Sequence, residues 1–114
     1  MAFNELELRR IKNTVGEMCH RRTPPHLRNE VELTYEVKGY DVTVYEIRSK
    51  WNNPKEKTRL EVARFKLVRS RNEWRLYWMR QDLKWHRYEV DGENTGLEDL
   101  VKVVDEDEYG AFFG

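Results

Sequence analysis

The chain lacks the features that stabilise or direct proteins outside the cytoplasm. Cys19 is its only cysteine, so an internal disulfide is excluded. The longest apolar run is the four residues from Leu76 to Met79, whereas a membrane-spanning helix needs about 20 apolar residues. The N-terminal residues also lack the apolar stretch of a signal peptide. The sequence therefore predicts a cytoplasmic protein that does not enter a membrane.

Recognisable enzyme motifs are missing as well. The six glycines form no phosphate-binding loop, and Cys19 and the three histidines follow no zinc-ligand spacing. We therefore expect no cofactor and no metal site. The four Trp, six Tyr and four Phe among 114 residues are far more aromatic surface than a disordered chain carries. Length and composition together predict one folded domain over residues 1–114.

The first predicted element is a helix. Asn4 and Glu7 have the spacing of a capping box, and Pro24 and Pro25 end the helical pattern. Between them, apolar side chains recur at helical spacing. They are Leu8, Ile11, Val15, Met18 and Cys19. Because Cys19 lies on this apolar stripe, we interpret it as a buried thiol rather than a nucleophile.

The middle of the chain alternates between apolar and polar residues, which is typical of half-buried strands. Five strands are predicted over residues 31–38, 41–51, 60–68, 74–80 and 84–90, with a loop over 52–58. The alternation of the second strand is imperfect, which suggests a bulge there. Since the other connections are short, consecutive strands are expected to pair antiparallel as a meander.

A second helix is predicted after the strands. Thr95 and Glu98 form another possible capping box, and Gly110 is expected to end the helix. Its apolar face consists of Leu97, Leu100, Val101 and Val104. Each helix has a single apolar stripe, so both should pack on the same face of the sheet. The prediction is an α+β domain with the order helix, five-stranded antiparallel meander, helix.

The chain ends with two adjacent aromatic residues, Phe112 and Phe113. Leaving both rings in water would be costly, because burying each is worth about 1.5–3 kcal/mol. We expect one of them to dock, either at the edge of this domain's core or on a second copy of the chain. Docking would bring the acidic residues before them back to the Arg-rich body. The tail could then also act as a gate over the basic surface.

Charge is unevenly distributed although the total is zero. Residues 95–114 contain six acidic residues and one lysine, which gives −5, and the other 94 residues contain 20 basic and 15 acidic residues, which gives +5. Arginine outnumbers lysine by 13 to 8. A basic, Arg-rich body indicates an anionic partner. An ordinary solvated surface with both signs mixed is the alternative.

Two segments concentrate the basic residues. Around the end of the first helix, Arg21, Arg22 and Arg28 are candidate anion ligands, although cations at a helix C-terminus also suit the helix dipole. The segment 73–90 interleaves cations with aromatic rings, a composition that suits single-stranded nucleic acid. Its candidate anion ligands are Arg75, Arg80, Lys84 and Arg87, and its candidate stacking residues are Tyr77 and Trp85.

The same segments contain the few residues that could act as acids or bases. These candidates are His20, His26, Glu30 and His86. Histidine and glutamate near several arginines could catalyse phosphodiester cleavage. They could equally be solvated surface residues, so catalysis stays the weaker interpretation.

Several segments resemble a small bacterial family of unknown function. They are RRTPPHLRNEVELTYEV, VTVYEIR, the Trp- and Arg-rich stretch that ends in DLKWHRY, and the terminal YGAFFG. The resemblance covers most of the chain and implies a stand-alone cytoplasmic protein of bacteria. It implies no activity, because none is associated with the family.

Three functions remain open at this point. The first is binding of nucleic acid or another anion by a basic, aromatic sheet surface. The second is a protein-interaction module, such as an antitoxin-, immunity- or inhibitor-like regulator, and a homodimer is compatible with it. The third is a small metal-independent RNase or hydrolase. The partners expected are single-stranded nucleic acid or another protein, and no membrane.

Overall fold

The fold was obtained as a computed structural model, which describes residues 2–27, 29–50, 52–90 and 96–114. The elements are α1 (Glu5–Ile11), a π-helical segment (Lys12–Gly16), α2 (Glu17–Arg22), β1 (Val31–Lys38), β2 (Asp41–Lys50), β3 (Asn53–Val68), β4 (Glu73–Met79), β5 (Trp85–Arg87) and α3 (Leu97–Glu106). This order confirms the predicted α+β fold. The predicted capping residue Thr95 and the loop before it lie outside the described residues.

The first two helices and the π-helical segment between them form one N-terminal helix. The predicted capping box is present: the Glu7 amide donates to Asn4 Oδ1 at 2.8 Å, and the Asn4 amide donates to Glu7 Oε1 at 3.0 Å. Gly16 allows the helix to approach the sheet, because a Cβ there would lie 3.1 Å from the ring of Tyr35. The glycine therefore makes room for an aromatic side chain of β1.

Glu7 also ties this helix to the turn between β3 and β4. Its two carboxylate oxygens accept hydrogen bonds from Arg69 at 2.7 and 2.9 Å. The Arg69 guanidinium and the Asn4 amide lower the pKa of Glu7 from 4.5 to about 2. The ionised carboxylate is therefore bound more favourably in the folded protein than in the unfolded chain.

Replacing Glu7 by glutamine is expected to lower the melting temperature near pH 7. Since the folded pKa is depressed, this stabilisation is present above about pH 4.5 and is lost as the pH falls towards about 2. The difference between the variant and the wild type should therefore shrink over that range in thermal melts. Glu5→Gln, in the same helical turn, is the control. An undiminished difference near pH 2 would contradict the assignment.

The five strands form one antiparallel sheet in the order β1-β2-β3-β4-β5. The predicted irregularity exists, but it lies in β3 rather than β2. Val44 pairs with Ala63 and Tyr45 pairs with Glu61, so Val62 is the extra residue. Tyr45 remains in regular register with β1. β2 itself alternates regularly, and the bulge instead brings the consecutive residues Val62 and Ala63 of β3 into the core.

The prediction of a loop over residues 52–58 was wrong. β3 begins at Asn53, and its first half pairs with β2, as in Arg48 with Thr58 and Ser49 with Lys57. Cross-strand hydrogen bonds hold this polar segment as a strand despite its composition. β4 pairs with β3 only from Ala63 onwards, so no strand within the described residues pairs with the other edge of this first half. A proline is tolerated at such an edge.

The core lies between the sheet and one layer of helices, as predicted. Ile11 and Val15 of the N-terminal helix and Leu97 and Leu100 of α3 are buried in the same cluster as sheet residues. The sheet contributes Leu33, Val42, Val44, Phe65, Leu67 and Leu76. Of the apolar helix residues expected in the core, all but Leu8 are buried. Both helices therefore cover one face of the sheet.

The C-terminal helix ends earlier than Gly110, at Glu106. Asp107 takes a left-handed conformation with φ 45° and caps the helix. Its carboxylate then accepts the amide hydrogens of Phe112 at 3.0 Å and Phe113 at 2.8 Å. The side chain of Asp107 thereby satisfies the returning backbone, a role that a glycine could not supply.

The predicted docking of the tail is confirmed within this chain. Phe112 is 9% exposed and belongs to the core cluster, and its ring centroid lies 5.0 Å from that of Tyr88. Phe113 packs beneath the guanidinium of Arg22, whose Cζ is 3.7 Å from the ring centroid. The tail thus completes the core on the helix side of the sheet.

Candidate nucleic-acid interface

Strand register determines which residues lie on the face of the sheet opposite the helices, called the open face below. Leu76 is buried on the helix side opposite Phe65, so its neighbours Arg75 and Tyr77 lie on the open face. Tyr77 is paired directly with Arg87 of β5. Among the described elements, no helix packs on this face.

Arg64 lies on the open face in β3, the central strand of the five-stranded sheet. It is paired with Thr43 on one side and with Tyr77 on the other. Its Nε donates to Thr43 Oγ1 at 3.1 Å, and its Cζ lies 4.6 Å from the ring centroid of Trp85. The guanidinium is therefore held over an indole ring, with its terminal nitrogens directed to no carboxylate among the described residues.

Several cations and rings surround Arg64 in adjacent register positions. We call this group the basic aromatic patch. It consists of Arg64, Lys66, Arg75, Arg87, Tyr77 and Trp85. All but Lys66 and Arg87 are partly buried, and those two are exposed. The patch combines positive charge with half-exposed aromatic rings.

Two of the arginines in the patch have acidic neighbours two residues away in the chain. Arg75 Nε donates to Glu73 Oε2 at 2.8 Å, which raises the pKa of Arg75 and lowers that of Glu73. Arg87 lies 3.7 Å from the exposed carboxylate of Glu89. Surface pairs of this kind contribute little to stability, so a phosphate could replace the carboxylates at small cost.

The other half of the open face is electrostatically different. Arg59 is bound by Glu36 at 2.7 Å and by Glu61 at 2.5 Å, and it stacks on Tyr45 with 3.7 Å between Cζ and the ring centroid. The two carboxylates raise the pKa of Arg59 and neutralise its positive charge locally. By contrast, Arg64 and Lys66 of the patch form no ion pair among the described residues, although they belong to the same strand as Arg59.

The remaining cations predicted in segment 73–90 lie at the end of the β4–β5 hairpin. Arg80 and Lys84 flank the turn, and the amide of Arg80 donates to the carbonyl of Lys84 at 3.3 Å. The Arg80 guanidinium lies 5.4 Å from the ring centroid of Trp78. Both cations are exposed. Because Trp78 has the helix-side parity of Leu76, they add positive charge at the hairpin tip and not on the open face itself.

The cations predicted around the end of the first helix lie elsewhere. Arg21 and Arg22 approach the carboxylate of Asp105 at 3.2 and 3.5 Å, so they anchor the C-terminal segment on the helix side. They are not part of the basic aromatic patch. Arg28 lies outside the described residues.

The four candidate acid–base residues are not gathered into one site. His20, His26 and Glu30 are exposed near β1, whereas His86 lies in β5 and bonds to Asp82 at 2.8 Å. β1 and β5 are the two edge strands of the sheet. Four strand spacings of about 4.8 Å separate them by roughly 19 Å. The four candidate residues therefore share no cleft, and the geometry does not support the hydrolase hypothesis.

Nucleophilic and metal chemistry also find no support in the described residues. Cys19 is buried, and desolvation raises the pKa of its thiol to about 12, so the reactive thiolate is scarce. Within the described ranges, no group of three or more His, Cys, Asp or Glu side chains could hold a metal ion. None of the helices described there is both long and apolar enough to cross a membrane.

Sequence reasoning missed Arg64 and Lys66 as members of the patch. The signal was present, because both alternate with the buried residues Phe65 and Leu67 in β3. Alternation identifies an outward-facing side chain, but it does not show that the strand is central. Only the strand order places these two cations beside the β4–β5 hairpin.

Comparison with known proteins adds the family and no relative of known function. No curated protein matches the chain, and no solved structure matches it. A family model described as a domain of unknown function, DUF3024, matches residues 3–114. The match spans nearly the whole chain, and the protein therefore belongs to the DUF3024 family.

Proposed function

We propose that the protein binds single-stranded nucleic acid on the open face of its sheet, at the basic aromatic patch. The observation that carries the proposal is Arg64. It is central, stacked on Trp85, and without an ion pair among the described residues. A guanidinium oriented in this way binds phosphate well, because its geometry is fixed before the ligand arrives.

The aromatic residues of the patch suit bases rather than isolated phosphate. Tyr77 and Trp85 are each half-buried, so the rings are held by the sheet while part of their surface faces solvent. Base–aromatic stacking is worth about 1–3 kcal/mol per base and depends little on sequence. Unpaired bases can reach these rings, whereas bases within a duplex are stacked and paired. This favours a single strand over a duplex.

The position of the patch also favours an extended ligand. Its cations belong to three adjacent strands, and Arg80 and Lys84 supply further positive charge where the strands β4 and β5 meet at the hairpin tip. The acidic Glu36 and Glu61 border the patch on the other side through their pairs with Arg59. A polyanion would therefore follow β3–β5 and avoid the β1–β2 half. Nucleic-acid binding agrees with the cytoplasmic location expected from the sequence.

Binding of a single-stranded oligonucleotide is expected to weaken steeply with salt. If the four cations of the patch each contact one phosphate, the affinity should fall about 50-fold between about 50 and 200 mM salt, because each contact contributes a slope of about −0.7. Fluorescence anisotropy of a labelled oligonucleotide measures this. Arg9→Ala removes one charge from an exposed position of the N-terminal helix, and it should change the affinity less than twofold, roughly the size of a nonspecific charge effect.

Two results would contradict the proposal. One is absence of binding at the lower salt concentration, which would favour the protein-interaction hypothesis instead. The other is an Arg9→Ala variant that loses as much affinity as a variant of the patch, since binding would then depend on total charge and not on this surface.

A further inference from the structure

The turn between β4 and β5 presents an apolar side chain to solvent. Leu83 is 81% exposed, and its backbone has φ 61°, in the left-handed region. The Leu83 amide donates to the carbonyl of Arg80 at 2.9 Å, and the Arg80 amide donates to the carbonyl of Lys84 at 3.3 Å. These bonds define a three-residue hairpin loop of Gln81, Asp82 and Leu83.

Neither conformation nor burial accounts for a leucine at this position. The last residue of such a loop adopts the left-handed conformation, where glycine or asparagine is ordinarily found. A leucine there is strained by its Cβ, and its side chain gains no stability from burial at 81% exposure. Strained backbone with an exposed apolar side chain is typical of a residue that contacts a ligand.

The turn is held rigidly by Asp82. Its Oδ1 accepts the amide of Lys84 at 3.0 Å, and its Oδ2 lies 2.8 Å from Nε2 of His86. The His86 ring and the Lys84 amide lower the pKa of Asp82, so the carboxylate stays ionised and keeps both bonds. Leu83 therefore projects from a fixed loop.

The residues around Leu83 offer a cavity and positive charge that suit a strand of nucleic acid. A surface cavity of about 560 Å³ lies directly beside the loop and is lined by Trp78, Met79, Arg80, Gln81 and Asp82. Exposed cations, Arg80 and Lys84, stand on both sides of Leu83 in the chain. The loop also closes the hairpin that carries Tyr77, Trp85 and Arg87 of the basic aromatic patch. Met79 belongs to the open face, whereas Trp78 and the Arg80 guanidinium above it lie on the helix side. The cavity therefore lies at the end of the hairpin, where the two faces meet, and a strand that follows the patch to the tip would reach it.

We propose that Leu83 is a wedge that inserts between two neighbouring bases of the bound single strand. One displaced base would enter the cavity beside the loop, and Arg80 and Lys84 would contact the flanking phosphates. Apolar side chains, leucine among them, part neighbouring bases of duplex DNA in minor-groove-binding proteins, and the same contact is available to stacked bases of a single strand. The proposal rests on the proposed function and names a contact that the patch alone does not supply.

Leu83→Asn tests the wedge, because asparagine tolerates the left-handed conformation. The melting temperature should stay the same or rise, while oligonucleotide affinity falls roughly tenfold through loss of the apolar contact. The salt slope should not change, because no charge is removed. An oligonucleotide containing 2-aminopurine should brighten when the wild type unstacks it, and the variant should fail to produce this signal.

Leu6→Asn is the matched control, since Leu6 is 74% exposed on the N-terminal helix, and it should leave affinity unchanged. A Leu83→Asn variant that binds and unstacks like the wild type would overturn the wedge and leave the proposed function standing. A marked fall in its melting temperature would assign Leu83 a structural role and also overturn the wedge. If the wild type binds no oligonucleotide at low salt, the proposed function fails, and the wedge fails with it.

Discussion

Replacing Phe112 by alanine is expected to lower the free energy of unfolding by about 3 kcal/mol, within the range for buried phenylalanines. The ring is 9% exposed and packs against Tyr88, so truncation leaves a cavity at the edge of the core. The value lies at the lower end of the range because the site is at the margin of the core, where neighbours can partly close the gap. Urea denaturation followed by tryptophan fluorescence measures the change.

Tyr109→Ala is the control for this prediction, since Tyr109 is 79% exposed in the turn just before the tail. It should shift the free energy of unfolding by less than about 0.5 kcal/mol. Equal stability of the Phe112 variant and the wild type would show that the tail does not complete the core. A change in sedimentation mass on replacing Phe112 would instead indicate that the tail joins two copies of the chain.

The same variant separates core completion from gating. The tail packs against Tyr88 and Arg22 on the helix side, and the basic aromatic patch lies on the open face. A gate over the patch, considered from the sequence, is therefore wrong for this arrangement. Once corrected for the folded fraction, the oligonucleotide affinity of the Phe112 variant should equal that of the wild type.

Features set by local physics could be predicted from the sequence. The capping box of Asn4 and Glu7 depends only on residues three apart, and it is present. Alternation along β4 separates Leu76 from Tyr77, and in the structure Leu76 is buried on the helix side while Tyr77 lies on the open face. Helical and strand periodicity are properties of short segments, so a short segment suffices to reveal them.

Features set by cross-strand pairing could not be predicted in the same way. Residues 53–58 belong to β3, which pairs with β2 through Asn53, Lys57 and Thr58, whereas their own composition favours a loop. The extra residue Val62 is likewise visible only when two strands are aligned. Arg64 becomes the centre of the patch through its pairing with Thr43 and Tyr77. Such roles depend on a partner distant in sequence, which a single sequence does not identify.

Charged residues that are close together in the sequence lie at different places in the fold. Segment 73–90 was expected to act as one anion-binding group, but Arg75 and Arg87 lie on the open face and Arg80 and Lys84 at the hairpin tip. The acidic segment near the C-terminus pairs with the helix-side cations, as in Arg22 with Asp105. The zero net charge thus conceals an internal neutralisation that leaves the patch positive.

Removing Arg64 and Arg87 together is expected to weaken oligonucleotide binding about 100-fold at low salt. Each substitution removes a charge-assisted contact worth about 1.5 kcal/mol, which lowers the affinity close to tenfold. The slope of log affinity against log salt should fall by about 1.4, because each lost phosphate contact removes about 0.7. Anisotropy titrations of Arg64→Ala/Arg87→Ala at several salt concentrations provide both quantities.

The control for this double variant removes the same charge from the helix layer. Arg9→Ala/Lys12→Ala alters two exposed positions of the N-terminal helix, so it tests whether total charge alone sets the affinity. It should leave the salt slope unchanged and weaken binding only slightly. Equal losses in the two double variants would contradict a site on the open face.

Arg64→Lys separates charge from geometry at the centre of the patch. Lysine keeps the positive charge but not the planar guanidinium that donates to Thr43 and stacks on Trp85. The salt slope should therefore match that of the wild type, while affinity falls roughly fivefold, a loss of about 1 kcal/mol. If lysine restores full affinity, the stack on Trp85 has no part in binding and the site is an electrostatic surface alone. If lysine behaves like alanine in both affinity and slope, charge at this position does not contact phosphate.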